Sequence, residues 1–285
     1  MKAVSIEAIG WRIRAALCAT ALAAAACGGS SVAAQPVTLN ITGSTTVSPF
    51  VRTDAAAFTA RYPNVTVNVT EVSDSGSTAA IAAVGTGAVD IGMTSREPQA
   101  GELEQYPDLV QVGIALDAID IAVHPSNPVS TLSLTQVRDI YSGKITNWSA
   151  VGGANLTIHV YHRKAPSGTR DYFLEGVMKG VLVTSSATLV SSSGMTTAIA
   201  GDPSAIGYGK TDSVVTLKAL SLQTDEGFIV APNTLNIRTG AYPLNRPLFL
   251  ITRGPAQGAA KSFIEYALSD QGQQAVAAQG LVTIR

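Results

Sequence analysis

Three short stretches set hydroxyl side chains beside glycine: Gly43-Ser44-Thr45-Thr46, Ser73-Asp74-Ser75-Gly76-Ser77-Thr78 and Pro166-Ser167-Gly168-Thr169. Each lies between a segment that alternates like a strand and one with helical spacing, so each opens a helix. A helix start presents N–H groups without intrahelical partners and a partial positive charge. Small residues let an anion approach these groups, and hydroxyls add donors without adding charge. Three such turns converging would make an oxyanion pocket built mostly from neutral dipoles. Arg163, just upstream of the third stretch, adds a planar fork suited to two oxygens of one tetrahedral anion. A lone Ser or Thr at a helix start is usually only an N-cap. It is the set of turns together with Arg163 that favours a ligand.

Other chemistries fit less well. Ser167-Gly168 could be read as a nucleophile turn with His124, His159 or His162 as base, but Gly-x-Ser-x-Gly is absent and no third orienting group is marked. An enzyme is therefore not expected. His159-x-x-His162 lies on an alternating segment, where that spacing puts the rings on opposite faces, so neither a shared metal nor another cofactor is expected. The chain has 285 residues, 46% of them hydrophobic and 14% charged, with a net charge of −1 and two cysteines. That balance excludes a disordered chain, a disulfide scaffold and a backbone-gripping nucleic-acid binder.

The elements that would carry these turns follow an α/β pattern. Residues 37–42 alternate as a strand, and 49–60 read as a helix with Pro49 in its first turn. Residues 65–72 form a second strand, 78–84 a helix and 89–93 a strand. A helix is predicted over 133–141, opened by the capping box Ser133-x-x-Gln136. Residues 156–162 form a strand, 170–178 a helix and 248–252 a strand. Residues 259–278 read as a helical tail interrupted near Gly272.

The N-terminus reads as an address. Lys2, Arg12 and Arg14 precede an uncharged Ala/Leu run from Ala15 to Ala26, too short for a mature membrane span. Ala24-Ala25-Ala26-Cys27-Gly28-Gly29 is like a bacterial lipoprotein cleavage site, although Ala24 replaces the usual Leu. Residues 1–26 are thus expected to be a signal peptide, Cys27 a lipidation point and 27–35 a flexible tether; the alternative is an ordinary secreted protein from which Cys27 is lost. Either way the body works outside the cytoplasm, periplasmic or at the cell surface, and touches a membrane only through a lipid anchor.

A resemblance now becomes visible. Arg163-Lys164-Ala165-Pro166-Ser167-Gly168-Thr169 fits Arg-x-x-x-Ser-Gly-Thr. This segment resembles the phosphate-gripping loop of the bacterial periplasmic phosphate-binding proteins (the PstS-like family), the solute receptors of phosphate ABC importers. Thr42 to Thr46 resembles their first anion loop, Asp74-Ser75-Gly76 the second, and Asp90-Ile91-Gly92 leading to Ser95-Arg96 the third. Ile140 to Trp148, Ala205-Ile206-Gly207-Tyr208 and Gly272-Gln273 are similar too. The resemblance implies a two-lobed α/β fold of the type II periplasmic binding protein class, with a central hinge and the anion in the interlobe cleft. Lobe I would be residues 36–116 plus 222–285, and lobe II residues 117–221. It implies capture of inorganic phosphate by hinge closure, delivery to ABC permease subunits and a monomer, with no nucleic-acid partner. Carried over residue by residue, the ligand set is Ser44, Thr45, Thr46, Ser75, Ser95, Arg163, Ser167, Gly168 and Thr169.

One departure bears on selectivity. Many members of the family place Asp directly after the third-loop Ser, to accept the proton of hydrogen phosphate and so reject sulfate. Here that position is Arg96. Asp74, Glu97 or a backbone carbonyl is left as acceptor, and Arg96 is either a second anion ligand or a surface partner of Glu97. A receptor for another tetrahedral oxyanion, such as sulfate, molybdate or tungstate, therefore stays open as the alternative.

Overall fold

The computed structural model describes residues 35–72, 76–210 and 216–284. In chain order the first part is β1 (Val37–Gly43), α1 (Ser48–Arg61), β2 (Val65–Glu71), α2 (Gly76–Gly85), β3 (Ile91–Thr94), α3 (Ala100–Gln105) and β4 (Leu109–Val123). Then come β5 (Thr131–Ser133), α4 (Leu134–Tyr141), β6 (His159–Arg163), α5 (Gly168–Phe173), β7 (Thr188–Val190), α6 (Ser192–Ala200) and β8 (Ala205–Lys210). The chain closes with β9 (Lys218–Ala219), β10 (Ser221–Gln223), β11 (Ile229–Val230), α7 (Thr234–Arg238), β12 (Asn245–Arg253), α8 (Gly258–Ala267) and α9 (Asp270–Ala278).

The strands form one continuous sheet in the order β2-β1-β3-β12-β4-β8-β6-β7, with β9 also on β4, and a small sheet β11-β10-β5. β1, β2 and β3 are parallel, as are β6, β7 and β8, while β12 and β4 run antiparallel between the two groups. Both faces of the sheet are covered, and strand alternation decides which core each residue joins. On β12, Leu248 and Leu250 join Phe50, Phe58 and Phe263 under α1, α8 and α9, whereas Phe249 and Ile251 turn to Ile81 and Val84 of α2. On β4, Ile121 and Val123 join Trp148, Phe173 and Tyr208, whereas Ala122 faces Met195 and Ile199 of α6.

β4 is the pivot. Its first part, Leu109 to Ala118, pairs with β12 and contributes Ile114 and Ala115 to the first core. Its last part, Ile119 to Val123, pairs with β8 and belongs to the second. The chain returns on β12: Leu244, just before the strand, packs in the second core and Leu248, within it, in the first. Ile237, Tyr242 and Leu244 pack with the second core: Ile119 N–H of β4 donates to Leu244 O at 2.9 Å, and Tyr242 Oη donates to Ile119 O at 3.3 Å.

Most of the predicted elements form. The capping box is complete: Gln136 N–H donates to Ser133 Oγ at 3.0 Å, and Ser133 N–H donates to Gln136 Oε1 at 2.9 Å. The predicted helix over 170–178 starts at Gly168 and ends in a π turn, Leu174–Met178. The break in the C-terminal helical tail falls at Leu268-Ser269, not at Gly272, because Ser269 caps α9 by accepting from Gly272 N–H at 3.4 Å. The signal peptide, Cys27 and most of the tether lie outside the described residues.

Phe173 stacks on Tyr208 at 4.0 Å with a 2° interplanar angle, beside Tyr141 and His162, and this cluster is the floor of the second lobe. Phe173→Ala removes a wholly buried ring and should cost about 3–5 kcal/mol. A urea titration should show the drop, and Phe173→Leu should recover most of it.

Candidate functional site

The loops after β1, β3 and β6 meet at the carboxyl ends of their strands, where open α/β sheets hold ligands. β1 ends at Gly43, whose φ of +134° and 2.3 Å approach of a hypothetical Cβ to the Met93 carbonyl leave no room for a side chain. The chain then turns: Ser44 N–H donates to Met93 O at 2.9 Å, and Ser48 N–H donates to Ser44 O at 2.9 Å. This aims Ser44, Thr45 and Thr46 at the second lobe. From that lobe, β6 ends in Arg163, and Ser167 caps the helix that begins at Gly168.

Together these segments enclose a hollow of about 10 Å³, lined by Ser44, Thr45, Thr46, Val72, Gly76, Ser95, Arg163, Pro166, Ser167, Gly168 and Thr169. That is about the room one water-sized group needs and far below the sites of drug-sized ligands, so it suits only a small ion. Ser44, Thr46, Ser95, Arg163, Ser167 and Thr169 are all buried. Lys164, next to Arg163 in sequence, is exposed and points elsewhere.

The hydroxyls have engaged their acceptor side. Ser44 Oγ accepts from Thr46 N–H at 3.2 Å, Ser167 Oγ from Arg170 N–H at 3.3 Å, and Thr169 Oγ1 from Arg246 Nη2 at 3.1 Å. Each keeps one O–H to donate. Ser167 is therefore both an N-cap and a wall of the hollow; the two readings of a serine at a helix start coexist. Among the described residues, the lining carries no carboxylate. The site is a cage of donors with one guanidinium.

Arg163 rests on a polar chain. Its N–H faces Tyr208 Oη at 3.4 Å, Tyr208 Oη meets His162 Nδ1 at 2.9 Å, and Arg170 Nε donates to His162 Nε2 at 2.9 Å. An acceptor at Nε2 requires a neutral ring with its proton on Nδ1. Burial, then the charges of Arg170 and Arg163, push the His162 pKa down to about 4. His159, on the other face of the strand, is exposed and meets Asp202 at 2.8 Å, so the two rings share no ligand.

Comparisons with known proteins agree with this geometry. The profile of the PBP superfamily domain matches residues 29–271. The phosphate-binding protein PstS of Bacillus subtilis is 30% identical over 247 residues, covering 86% of this chain and 80% of that protein. Among solved structures, a putative phosphate ABC transporter substrate-binding protein with bound phosphate from Clostridium perfringens superposes with a TM-score of 0.77 at 33% identity, covering 87% of this chain and all of that one. An ABC-type phosphate transport receptor from Vibrio cholerae gives 0.74 at 32% identity, with 86% and 99% covered. The chain belongs to the PstS-like phosphate-binding proteins of the PBP superfamily. With that membership comes the two-lobed α/β fold of the family.

Of the residues singled out in the sequence, Ser44, Thr45, Thr46, Ser95, Arg163, Ser167, Gly168 and Thr169 come together at one hollow. Asp74, Ser75 and Cys27 lie outside the described residues. Arg96 does not line the hollow. It is buried and turned away, with Nε donating to Asp171 at 3.2 Å, Nη1 and Nη2 to Glu102 at 2.7 and 2.8 Å, Nη1 to the Glu97 carbonyl at 2.9 Å and Nη2 to Thr78 at 2.9 Å. Its partner is thus Glu102, not the Glu97 side chain, and its link to Asp171 joins the third loop to α5. Ser77, part of the second stretch but not of the ligand set, has its Oγ accepting from Ser95 N–H at 3.0 Å; sequence reasoning missed the buried pair Arg246–Asp117 behind the hollow.

Two outcomes follow from this geometry. A Cβ on Gly168 would lie 2.2 Å from Ser77 Oγ and 2.7 Å from Ser95 Oγ, both of the first lobe, and Ser77 Oγ is already committed to Ser95 N–H. Gly168→Ala should keep the circular dichroism of the parent but hold the lobes apart, seen as a larger radius of gyration in small-angle scattering. His162 takes up its proton near pH 4 when folded but near 6.5 when unfolded, so its contribution to stability is complete above about pH 6.5 and is lost as pH falls toward 4. Unfolding midpoints measured from pH 7 to pH 4 should fall more steeply for the parent than for His162→Gln.

Proposed function

We propose that this protein is the extracytoplasmic receptor of a phosphate importer: it captures inorganic phosphate in the hollow between its lobes and presents it to ABC permease subunits. The observation that carries this reading is the donor cage around Arg163, built from both lobes and sized for a small ion. The Bacillus, Clostridium and Vibrio relatives, named as phosphate-binding or phosphate-transport proteins, point the same way. Sulfate, molybdate and tungstate are not favoured by any of them.

In this reading Thr45, Thr46, Ser44 and Ser95 are the first lobe's ligands, joined by Ser75. Arg163, Ser167, Gly168 and Thr169 are the second lobe's. A dianion loses its hydration on entry at a heavy cost, which only many charge-assisted hydrogen bonds offset. Neither lobe alone has the full set, so ligand binding favours the closed form. The lobes would pivot on β4 and on the residues before β12. Asp74, between Val72 and Gly76 of the lining in sequence, would accept the phosphate proton. The family is one of solute-binding proteins, and turnover of the bound ion is not part of this reading. A cleaved signal over residues 1–26 and a lipid on Cys27 would keep the body outside the cytoplasm near its permease.

Titration calorimetry tests the reading. Phosphate should bind tightly and sulfate weakly. Arg163→Ala should lose about a hundredfold in affinity or more, the loss of two charge-assisted bonds, while exposed Lys164→Ala should stay within about threefold, as a screened surface charge does. Equal losses from both would replace the aimed fork with a diffuse basic patch, and no heat with phosphate would overturn the assignment.

A further inference from the structure

Arg246 stands at the second position of β12 and is completely buried. Across the strands its register partner is Asp117 of β4, whose Oδ2 it holds through Nε at 3.2 Å and Nη2 at 2.8 Å. β4 and β12 are the strands that carry the chain between the two cores. The carboxylate therefore fixes one edge of the guanidinium at the pivot. The other edge reaches forward to both halves of the hollow. Nη1 donates to the Ser95 carbonyl at 3.2 Å, on the first lobe, and Nη2 donates to Thr169 Oγ1 at 3.1 Å, on the second. Arg246 itself is absent from the lining.

We infer that Arg246 is a positioning residue for anion capture, acting through Thr169 and Ser95 from behind the site. The inference rests on the reading of the hollow as the phosphate site. Its chemistry is specific. A hydroxyl that accepts from a cation has one lone pair occupied and its O–H polarised, which makes Thr169 a better donor toward the hollow. The Ser95 bond holds the third loop in register with the helix start at Gly168. Both bonds exist together only when the lobes meet, so the same group that aims the donors also rewards closure. Lysine could not replace it, because three donors on a flexible stem cannot hold Asp117, Ser95 and Thr169 in one plane.

The test is a double-mutant cycle on the full chain, read by phosphate calorimetry, with urea unfolding in the absence of phosphate as control. Arg246→Lys should weaken phosphate binding tenfold or more. Thr169→Val should weaken the parent by a similar factor but add less than threefold in the Arg246→Lys background, because the hydroxyl is no longer aimed there. Thr169→Ser should restore most of the affinity in the parent and little in that background. Where Arg246→Lys lowers the urea midpoint, Asp117→Leu/Arg246→Met exchanges the whole buried pair for apolar residues, which folds tolerate far better than a half-broken pair, and it should show the same loss of affinity. A parent that binds phosphate, with Arg246→Lys unchanged or with losses that simply multiply with those of Thr169→Val, overturns the inference and leaves the phosphate reading standing. A parent that gives no heat with phosphate removes both.

Discussion

A small anion surrenders its water only where many donors wait for it at once, and no single helix end supplies enough of them. The rest of the molecule follows from that constraint. Donors must come from several strand-to-helix turns, the turns must sit at the same edge of a sheet, and the two groups of turns must face one another across a pivot. The chain meets this with two sets of parallel strands joined through antiparallel β12 and β4. At the meeting point the backbone has to come very close, and so Gly168 stands where any side chain would strike Ser77 and Ser95.

The donors are organised from behind as well as from the front. Three hydroxyls of the hollow already accept a hydrogen bond from the protein, which leaves each with a proton to give. Arg163 is backed by Tyr208 and a neutral His162, itself held by Arg170. Tyr208, His162 and Arg170 do not line the hollow; they support Arg163 and Ser167 from behind. Arg96 shows the opposite use of the same side chain: all of its donors are spent within the protein, bridging the third loop to α5 and α3.

What the sequence made legible was local. Alternation in residues 37–42 and 65–72, the Ser133-x-x-Gln136 box and the glycine-hydroxyl turns at 43–46 and 166–169 are each written in adjacent residues, and each forms. What stayed hidden was tertiary. Nothing near Arg246 in sequence marks it as the partner of Asp117 and Thr169, because the contact depends on the register of two strands far apart in the chain. The packing of Ile237, Tyr242 and Leu244 with the second core was hidden for the same reason, since it depends on their contacts with Ile119 of β4. The gap in the C-terminal helical tail, expected near Gly272, is set by the serine cap three residues earlier. Arg96 kept two open readings because its true partners, Glu102 and Asp171, come from separate elements.

Ser167 carries a further meaning. Its single oxygen caps the helix that starts at Gly168 and also forms part of the wall of the hollow. In the proposed reading, a drift to alanine there would weaken the helix cap and remove a ligand in one step. Where one atom serves both the scaffold and the cargo, selection for a sound fold alone shelters the binding chemistry, even through generations in which the nutrient is abundant.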